Sequence, residues 1–342
     1  MTGMEFKEKI AKIIDRLGDE ESKRIFEARL LYSLTGNLDC FDSAVLGIQK
    51  ISSEKPVAIF GCGQFGQFLV EYIQNAVCFI DNYANKANLV KNLPVLSLDE
   101  FIRRYDNVDV VIGSIDYYDD LKAQLNRFDI PVCDLPVCFQ NLFKKMQDQI
   151  QYFDFPYLEH AEHEVFVDGG CLDGNTSLDF IQWSKSASAN KNIGIILFEP
   201  NQYQVPVCET ALRNTGVPFK IIQKALSDCV ETLKFNSAES DPKTASISND
   251  GDIVIETVRM DDVLKDERIT FIKLDIEGAE LRALRGMKKI ISNQKPKLAI
   301  SVYHKPEDIW EIPLMICEVN ENYKFYLRHY SWNTAETVLY AI

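Results

Sequence analysis

The sequence lacks the patterns that indicate zinc-binding, nucleic-acid-binding or membrane-spanning proteins. None of its nine cysteines forms a CxxC pair, and their spacing matches no zinc signature. No apolar run approaches the roughly 20 residues that a helix needs to span a bilayer. Basic residues are in deficit, with 37 Lys and Arg against 51 Asp and Glu. The resulting net charge of −14 argues against binding of nucleic acid or anionic membrane through bulk charge.

A signal peptide and a disulfide framework are also missing. Residues 1–12 form a polar amphipathic segment without the apolar stretch of a secretory signal. An odd number of cysteines with no framework indicates a reducing compartment. We therefore expect a cytoplasmic protein with no nucleic-acid and no membrane partner. The sequence leaves the formation of a homo-oligomer open.

The length and composition indicate more than one folded domain. At roughly 150 residues per domain, 342 residues suggest about two domains, and a hydrophobic content of 46% is enough for ordinary cores. The patterns along the chain predict a helical segment at residues 1–54 and a Rossmann-like domain that binds a nucleotide or nucleotide-sugar at residues 55–138. A connecting helix at residues 139–155 and a second Rossmann-like domain at residues 156–342 follow.

The predicted fold class is α/β. Short apolar strand patterns alternate with helical patterns from Val57 onward and again from Val165 onward. This alternation is typical of parallel sheets whose strands are joined by crossover helices. Residues 323–329 and 337–341 are predicted as two further strands joined by a polar turn. The second sheet is therefore expected to end in an antiparallel hairpin.

The first glycine-rich turn has the spacing of a dinucleotide-binding turn. Gly61, Gly63 and Gly66 lie between a predicted strand and a predicted helix, and Asp81 follows 20 residues after Gly61. The glycines would let a phosphate approach the helix N-terminus, and Asp81 could accept hydrogen bonds from a ribose. The alternative is a scaffold that needs the glycines only for packing of helix against strand. The sequence favours neither interpretation over the other.

The second glycine-rich turn carries acidic residues where a pyrophosphate site would need amide donors. Asp168 ends the predicted strand, and Gly170 and Gly174 lie four residues apart, with Asp173 and Thr176 beside them. An acidic turn of this kind suits a cationic or zwitterionic ligand. We therefore expect these five residues to bind a positively charged cofactor.

The next two strand ends also carry polar groups suited to a nucleoside. Glu199 could bind ribose hydroxyls, and Ser227 with Asp228 could meet an adenine edge. S-Adenosylmethionine combines a nucleoside, a sulfonium and an amino-acid tail, and so fits these demands. The sequence predicts it as the cofactor.

Three residues after the last parallel strands are candidates for catalysis. Asp275 ends a central strand, Glu277 follows it, and His304 ends the next strand, where it could accept a substrate proton. Glu280 is explained equally well by function and by a favourable interaction with the helix dipole. Asp275, Glu277 and His304 could instead bind a divalent metal, but their spacing specifies none and we expect no metal.

The second half of the sequence resembles the FkbM family of methyltransferases over about residues 150–342. The resemblance rests on six runs: Val165–Gly170, Gly174–Ser177, Phe198–Pro200, Asp261–Val263, Phe271–Glu280 and Ser301–Pro306. It implies a class I methyltransferase fold and S-adenosylmethionine-dependent O-methylation. The implied acceptor is a hydroxyl of a small molecule or saccharide.

Two alternative functions stay open at this point. In the first, residues 55–138 are the active part of a nucleotide-sugar-binding protein or an oxidoreductase. In the second, the chain is a degenerate methyltransferase that serves as a binding partner. The second alternative rests on the departure from the family pattern at residues 169–173, where the sequence has Gly-Gly-Cys-Leu-Asp.

Overall fold

A computed structural model describes residues 3–50, 53–83, 89–133, 137–186, 192–237 and 246–342. Within these residues the chain divides into two compact units. The small unit is Leu38–Asp148, and the large unit combines residues 3–37 with Gln149–Ile342. The units cut across the segments expected from the sequence, because the first two helices belong with the second half of the chain.

The large unit begins with helices α1 (Gly3–Ile14) and α2 (Glu20–Thr35). Asp19 caps α2 by accepting a hydrogen bond from the backbone N–H of Ser22 at 2.8 Å. The helix ends at Gly36, whose φ of 70° is a left-handed conformation that glycine adopts without strain. Both helices lie in the region that the sequence predicts to be helical.

The small unit contains a five-stranded sheet in the order β3 (Leu89–Val90), β4 (Leu93–Leu96), β2 (Ala76–Ile80), β1 (Val57–Phe60) and β5 (Asp109–Ile112). Strands β1, β2, β4 and β5 pair in parallel, and β3 is antiparallel to β4. Buried apolar side chains such as Phe60, Cys78 and Ile112 form its core. The elements are α3 (Leu38–Phe41), a π-helical turn (Asp42–Leu46), β1 (Val57–Phe60), α4 (Gln64–Tyr72), β2 (Ala76–Ile80), β3 (Leu89–Val90), β4 (Leu93–Leu96), α5 (Leu98–Arg104), β5 (Asp109–Ile112), α6 (Tyr118–Asn126) and α7 (Val137–Asp148).

The rest of the large unit alternates strands and helices. Its elements are β6 (His163–Gly169), α8 (Asn175–Ser186), β7 (Asn192–Phe198), α9 (Val205–Leu212), β8 (Phe219–Ile222), β9 (Ala225–Leu226), β10 (Thr232–Asn236), β11 (Ser246–Ile247), β12 (Ile253–Val258), α10 (Met260–Val263), β13 (Phe271–Leu274), α11 (Glu280–Arg285), α12 (Lys288–Gln294), β14 (Lys297–Ser301), α13 (Asp308–Val319), β15 (Phe325–His329) and β16 (Thr337–Ala341).

The main sheet of the large unit has seven strands in the order β15-β16-β14-β13-β6-β7-β8. The five strands from β14 to β8 pair in parallel. Strand β16 runs antiparallel to both β14 and β15. The expected α/β class and the antiparallel C-terminal hairpin are confirmed. The hairpin's second strand lies inside the sheet, between β14 and β15.

The segment that joins α1 and α2 covers the edge of this sheet. Gly18 donates its N–H to the carbonyl of Phe325 at 2.8 Å, and Phe325 donates to the carbonyl of Arg16 at 2.9 Å. A side chain at Gly18 would collide with the ring of Tyr326, 2.2 Å from an added Cβ. These contacts protect an otherwise exposed edge strand and tie the N-terminal helices to the large unit.

A smaller four-stranded sheet of order β11-β10-β12-β9 lies in the large unit. Strands β10 and β12 pair antiparallel, and β9 pairs in parallel with β12. Within the described part of the chain, no helix has both the length and the apolar composition needed to cross a bilayer.

Candidate active site

A cavity of about 820 Å³ opens at the carboxyl ends of the parallel strands β6, β7, β13 and β14 of the large unit. This is the position where open α/β sheets bind their ligands. One part of its wall comes from the glycine turn after β6, from the end of β7 and from β9 and β10. The other part comes from the segments after β13 and β14 and from Gln151, Tyr152 and Glu336.

The glycine turn after β6 packs directly against the segment that carries Asp275. Gly170 has a φ of +75°, and an added Cβ would lie 2.0 Å from the carbonyl oxygen of Asp275. Only glycine fits both the backbone conformation and the space. Gly170, Asp173 and Thr176 line the cavity. Gly174, with a φ of +82°, packs against helix α9 instead.

Asp168 is fully buried beneath this turn and does not line the cavity. Its carboxylate accepts hydrogen bonds from Ser177 Oγ at 2.8 Å and from Lys273 Nζ at 3.1 Å. Lys273 also donates to the carbonyl of Gly170 at 2.7 Å. The geometry therefore gives Asp168 contacts that shape the turn, in place of the expected direct contact with a ligand.

Asp173 lies at the start of helix α8. Its carboxylate accepts hydrogen bonds from the backbone N–H of Asn175 at 3.0 Å and from the Asn175 side-chain amide at 2.7 Å. These bonds satisfy donors at the helix N-terminus. The residue that departs from the family pattern therefore has a local structural role while it lines the cavity.

Glu199 lies at the end of β7 and reaches the cavity wall. Its carboxylate accepts hydrogen bonds from the backbone N–H groups of Leu172 at 3.1 Å and Asn201 at 2.9 Å. Burial raises the pKa of Glu199 to about 7, and the two N–H donors only partly offset that rise. Glu199 thereby links the glycine turn to the end of the next strand.

Ser227 and Asp228 do not line the cavity, although they lie next to residues that do. Asp228 accepts two hydrogen bonds from Arg282, at 3.1 Å and 3.0 Å. Partial burial would raise the pKa of Asp228, but Arg282 outweighs it and lowers that pKa. Arg282 itself lines the cavity and was not among the predicted site residues.

Asp275, Glu277 and His304 all line the cavity and lie together. Nε2 of His304 is 3.6 Å from Oδ1 of Asp275 and 3.6 Å from Oε2 of Glu277. The sequence placed them at neighbouring strand ends, and the fold brings them within reach of a common ligand.

Glu280 completes this group from the buried side. Its Oε1 lies 3.0 Å from Nδ1 of His304 and accepts a hydrogen bond from the backbone N–H of Ile276 at 2.8 Å. Burial would lower the pKa of His304, but Glu280, Asp275 and Glu277 outweigh it and raise that pKa to about 9. Donor atoms of Asp275, Glu280 and His304 lie within 4.8 Å of one another, a spacing that would also accommodate a divalent cation.

Arg282 is one of several polar residues of the cavity wall that sequence reasoning missed, and Gln151, Tyr152, Tyr303 and Glu336 are others. The hydroxyls of Tyr152 and Tyr303 lie 3.0 Å and 3.1 Å from the two carboxylate oxygens of Asp275. Gln151 donates to Glu336 at 2.6 Å, and Tyr303 lies 3.3 Å from the same carboxylate. Gln151, Tyr152 and Glu336 are far from the recognised motifs in sequence, so only the fold reveals them. Tyr303 precedes His304 and could have been selected by position.

Left-handed backbone conformations recur along the cavity wall. Four non-glycine residues that line it have positive φ values: Tyr152, Leu172, Glu277 and Glu336. Such conformations cost free energy, and they concentrate at functional sites where the surrounding structure enforces them. This independent feature marks the cavity as the candidate active site.

The first glycine turn lies in the small unit, and its residues 61–66 are not among those that line this cavity. An added Cβ at Gly66 would lie 2.0 Å from the carbonyl oxygen of Gly61, so close packing alone requires that glycine. Gly63 has no atom within 4 Å of an added Cβ. Asp81 accepts hydrogen bonds from the backbone N–H groups of Cys62 at 3.0 Å and Tyr83 at 2.8 Å. Asp81 thus engages an N–H of the turn itself, which favours the packing interpretation.

The sheet order with one reversed strand, together with a ligand cavity at the carboxyl ends of the parallel strands, defines a class I methyltransferase fold. Residues 159–328 match the family model of the methyltransferase FkbM domain. This part of the chain therefore belongs to the FkbM methyltransferase family, as its motifs predict. The small unit lies outside the matched residues.

Comparison with solved structures finds three chains to report. The methyltransferase FkbM from Methylobacillus flagellatus has a TM-score of 0.53 and 19% identity, over 84% of this chain and 90% of that chain. Aeropyrum pernix fibrillarin, solved with natively bound S-adenosyl-L-methionine, has a TM-score of 0.33 and 9% identity, over 54% and 67% of the two chains. A SAM-dependent methyltransferase from Methanosarcina mazei has a TM-score of 0.29 and 11% identity, over 61% and 97%. No curated protein matches the sequence.

Proposed function

We propose that the protein is an S-adenosylmethionine-dependent O-methyltransferase that acts on a hydroxyl of a small molecule or saccharide. One observation carries this proposal. The glycine turn and Glu199 line the same cavity as Asp275, Glu277 and His304, at the edge of an FkbM-family sheet. The first part is suited to a cofactor and the second to proton transfer.

The cavity wall fits the cofactor in size and chemistry. A volume of about 820 Å³ lies in the upper range of small-molecule sites and leaves room for an acceptor beside the cofactor. Gly170, Asp173, Thr176 and Glu199 would hold S-adenosylmethionine, and apolar Leu226 and Phe235 line the same part of the wall. When bound, the cofactor supplies an activated methyl group on a cationic sulfur.

Transfer to a hydroxyl requires an aligned acceptor and removal of the hydroxyl proton. His304 would accept this proton through Nε2, the nitrogen that lies 3.6 Å from both Asp275 and Glu277. The carboxylates of Asp275 and Glu277 would then stabilise the imidazolium that results. Tyr152 and Tyr303 fix the Asp275 carboxylate through their hydroxyls.

Calorimetry with S-adenosylmethionine and its demethylated product tests the cofactor assignment. We expect binding that Glu199→Ala weakens at least about tenfold, because that change removes the ribose-type acceptor and the link to Leu172. Glu20→Ala, a change at an exposed ion pair with Lys23 whose residues do not line the cavity, is the matched control. Unchanged affinity in Glu199→Ala would contradict the assignment.

Label transfer tests the reaction itself. Methyl-labelled cofactor is supplied with a cell extract fractionated into small molecules and glycans, and the labelled product is identified. We expect a methyl ether in wild type and a strongly reduced yield in His304→Ala, with cofactor affinity retained. Copurified demethylated cofactor without transfer to any fraction would support a degenerate binding protein instead.

A further inference from the structure

Glu280 is buried more completely than an interaction with a helix dipole requires. It opens helix α11 and has no exposed surface. Burial of a carboxylate is costly unless charged or hydrogen-bonding partners compensate it. Its Oε1 accepts hydrogen bonds from the backbone N–H groups of Ile276 at 2.8 Å and Gly278 at 3.4 Å. Glu280 therefore closes the loop that carries Asp275 and Glu277.

The same carboxylate oxygen contacts His304. The separation of Oε1 from Nδ1 is 3.0 Å, shorter than the 3.6 Å that separates Nε2 from either Asp275 or Glu277. The His304 side chain is only 10% exposed, so its ring has little freedom to rotate away. Nδ1 thus faces the buried carboxylate of Glu280, and Nε2 faces the carboxylates of Asp275 and Glu277, which line the cavity.

We propose that Glu280 is the positioning residue of His304: its carboxylate orients the ring and holds a proton on Nδ1, so that Nε2 is presented to the acceptor. The presentation of Nε2 to an acceptor rests on the proposed methyl transfer, whereas the orientation of the ring does not. In other catalytic pairs, a carboxylate that accepts a hydrogen bond from one nitrogen of a histidine fixes the tautomer of the ring.

The surroundings of His304 are predominantly acidic. Facing it are Asp275, Glu277 and Glu280 from the loop after β13, Tyr303 and Lys305 beside it in the chain, Asp308 from helix α13, and Glu336 before β16. Lys305 is the one basic group in this set, and its ammonium donates to the carbonyl of Gly278. The group therefore stabilises an imidazolium, in agreement with the raised pKa of His304.

Nuclear magnetic resonance of the wild-type protein tests the orientation without any substitution. The chain has four histidines, so ¹⁵N-labelled imidazole signals can be assigned by single replacements. We expect His304 above its pKa to carry its proton on Nδ1, with Nε2 free. The opposite tautomer, with the proton on Nε2, would overturn the proposal.

Two substitutions separate the charge of Glu280 from its shape. Glu280→Gln should lower the pKa of His304 by at least about one unit, since the nearest opposite charge is lost. Glu280→Asp, which keeps the negative charge, should lower the pKa of His304 by a smaller amount. Glu277→Gln is the matched control: its carboxylate is 39% exposed and farther from the ring, so the shift should be smaller. An unchanged His304 titration in folded Glu280→Gln would contradict the proposal.

Kinetics and metal titration complete the test. Glu280→Gln should reduce kcat at least about tenfold at its optimum pH, with the KM for S-adenosylmethionine within about twofold of wild type. If wild type transfers no methyl group while the tautomer is as expected, the methyl-transfer proposal fails and the positioning role stands. Addition of Mn²⁺ should leave the His304 signals sharp. Specific broadening at micromolar Mn²⁺ would show that His304 is a metal ligand and would overturn the proposal.

Discussion

Lys273 places its ammonium nitrogen 3.1 Å from the carboxylate of Asp168, and both side chains are buried in the seven-stranded sheet. The two residues are register partners on the neighbouring strands β13 and β6. Lys273 also donates to the carbonyls of Gly169 and Gly170, at 3.3 Å and 2.7 Å. The ion pair therefore fixes the glycine turn from inside the sheet.

Removing one partner of this pair should destabilise the large unit. Asp168→Asn leaves the buried Lys273 charge without its ion-pair partner, a loss that costs about 3–5 kcal/mol in comparable sites. The three tryptophans, at positions 183, 310 and 332, all lie in the large unit. Urea unfolding followed by tryptophan fluorescence therefore reports on this unit selectively.

The matched control is the exposed pair of Lys224 and Glu256 at 2.6 Å. Glu256→Gln should leave the urea midpoint almost unchanged, because surface ion pairs contribute little. If Asp168→Asn and Glu256→Gln changed the urea midpoint equally, the buried pair would contribute no more to stability than the exposed pair.

Gly170→Ala should damage both folding and cofactor binding. The alanine would adopt a left-handed conformation, and its Cβ would lie 2.0 Å from the carbonyl oxygen of Asp275. Gly216→Ala is the control, since Gly216 has a similar φ of +72° but no atom within 4 Å of an added Cβ. Both changes carry a backbone cost of about 1–2 kcal/mol, and only Gly170→Ala should lose binding of S-adenosylmethionine in calorimetry. Retained affinity in Gly170→Ala would mean that the turn can move away from Asp275 freely.

The sequence was sufficient to predict the features that depend on local pattern. Alternating strand and helix signals predicted the α/β class, and the polar turn between two apolar runs predicted the terminal hairpin. The motifs placed Asp275 and His304 at neighbouring strand ends, where the fold brings them together. Each of these features is encoded by residues close in sequence or by the general geometry of parallel sheets.

The missed features depend on contacts between distant residues. Arg29 of helix α2 is buried, and its guanidinium donates to the carbonyl of Thr334 at 2.5 Å and to Thr337 Oγ1 at 3.0 Å. It thereby holds the turn that carries Glu336. Helical periodicity shows that α2 exists but does not reveal a partner more than 300 residues away. The burial of Asp168 was missed for the same reason, since its partner Lys273 is 105 residues away.

Glu199 should make the stability of the large unit depend on pH. Burial raises its pKa in the folded protein to about 7, above the value of 4.5 for an exposed glutamate, so the folded state favours the protonated form. The contribution of this carboxyl group to stability is then greatest below about pH 4.5 and is lost as the pH rises through 7. The difference corresponds to roughly 3 kcal/mol. Glu199→Gln, which cannot ionise, should flatten the fall in urea midpoint between pH 5 and 8. An equal slope in both proteins would contradict the raised pKa.

His304 should set the pH dependence of methyl transfer. Because its pKa is raised to about 9, most molecules at neutral pH carry the imidazolium, which cannot accept a proton. The rate at saturating cofactor and acceptor should therefore rise about tenfold per pH unit below 9 and level off above it. Glu280→Gln should move this midpoint to lower pH, whereas His163→Ala, at an exposed histidine outside the cavity wall, should leave it in place. A rate that is flat from pH 6 to 10 in a protein shown to stay folded would exclude His304 as the proton acceptor.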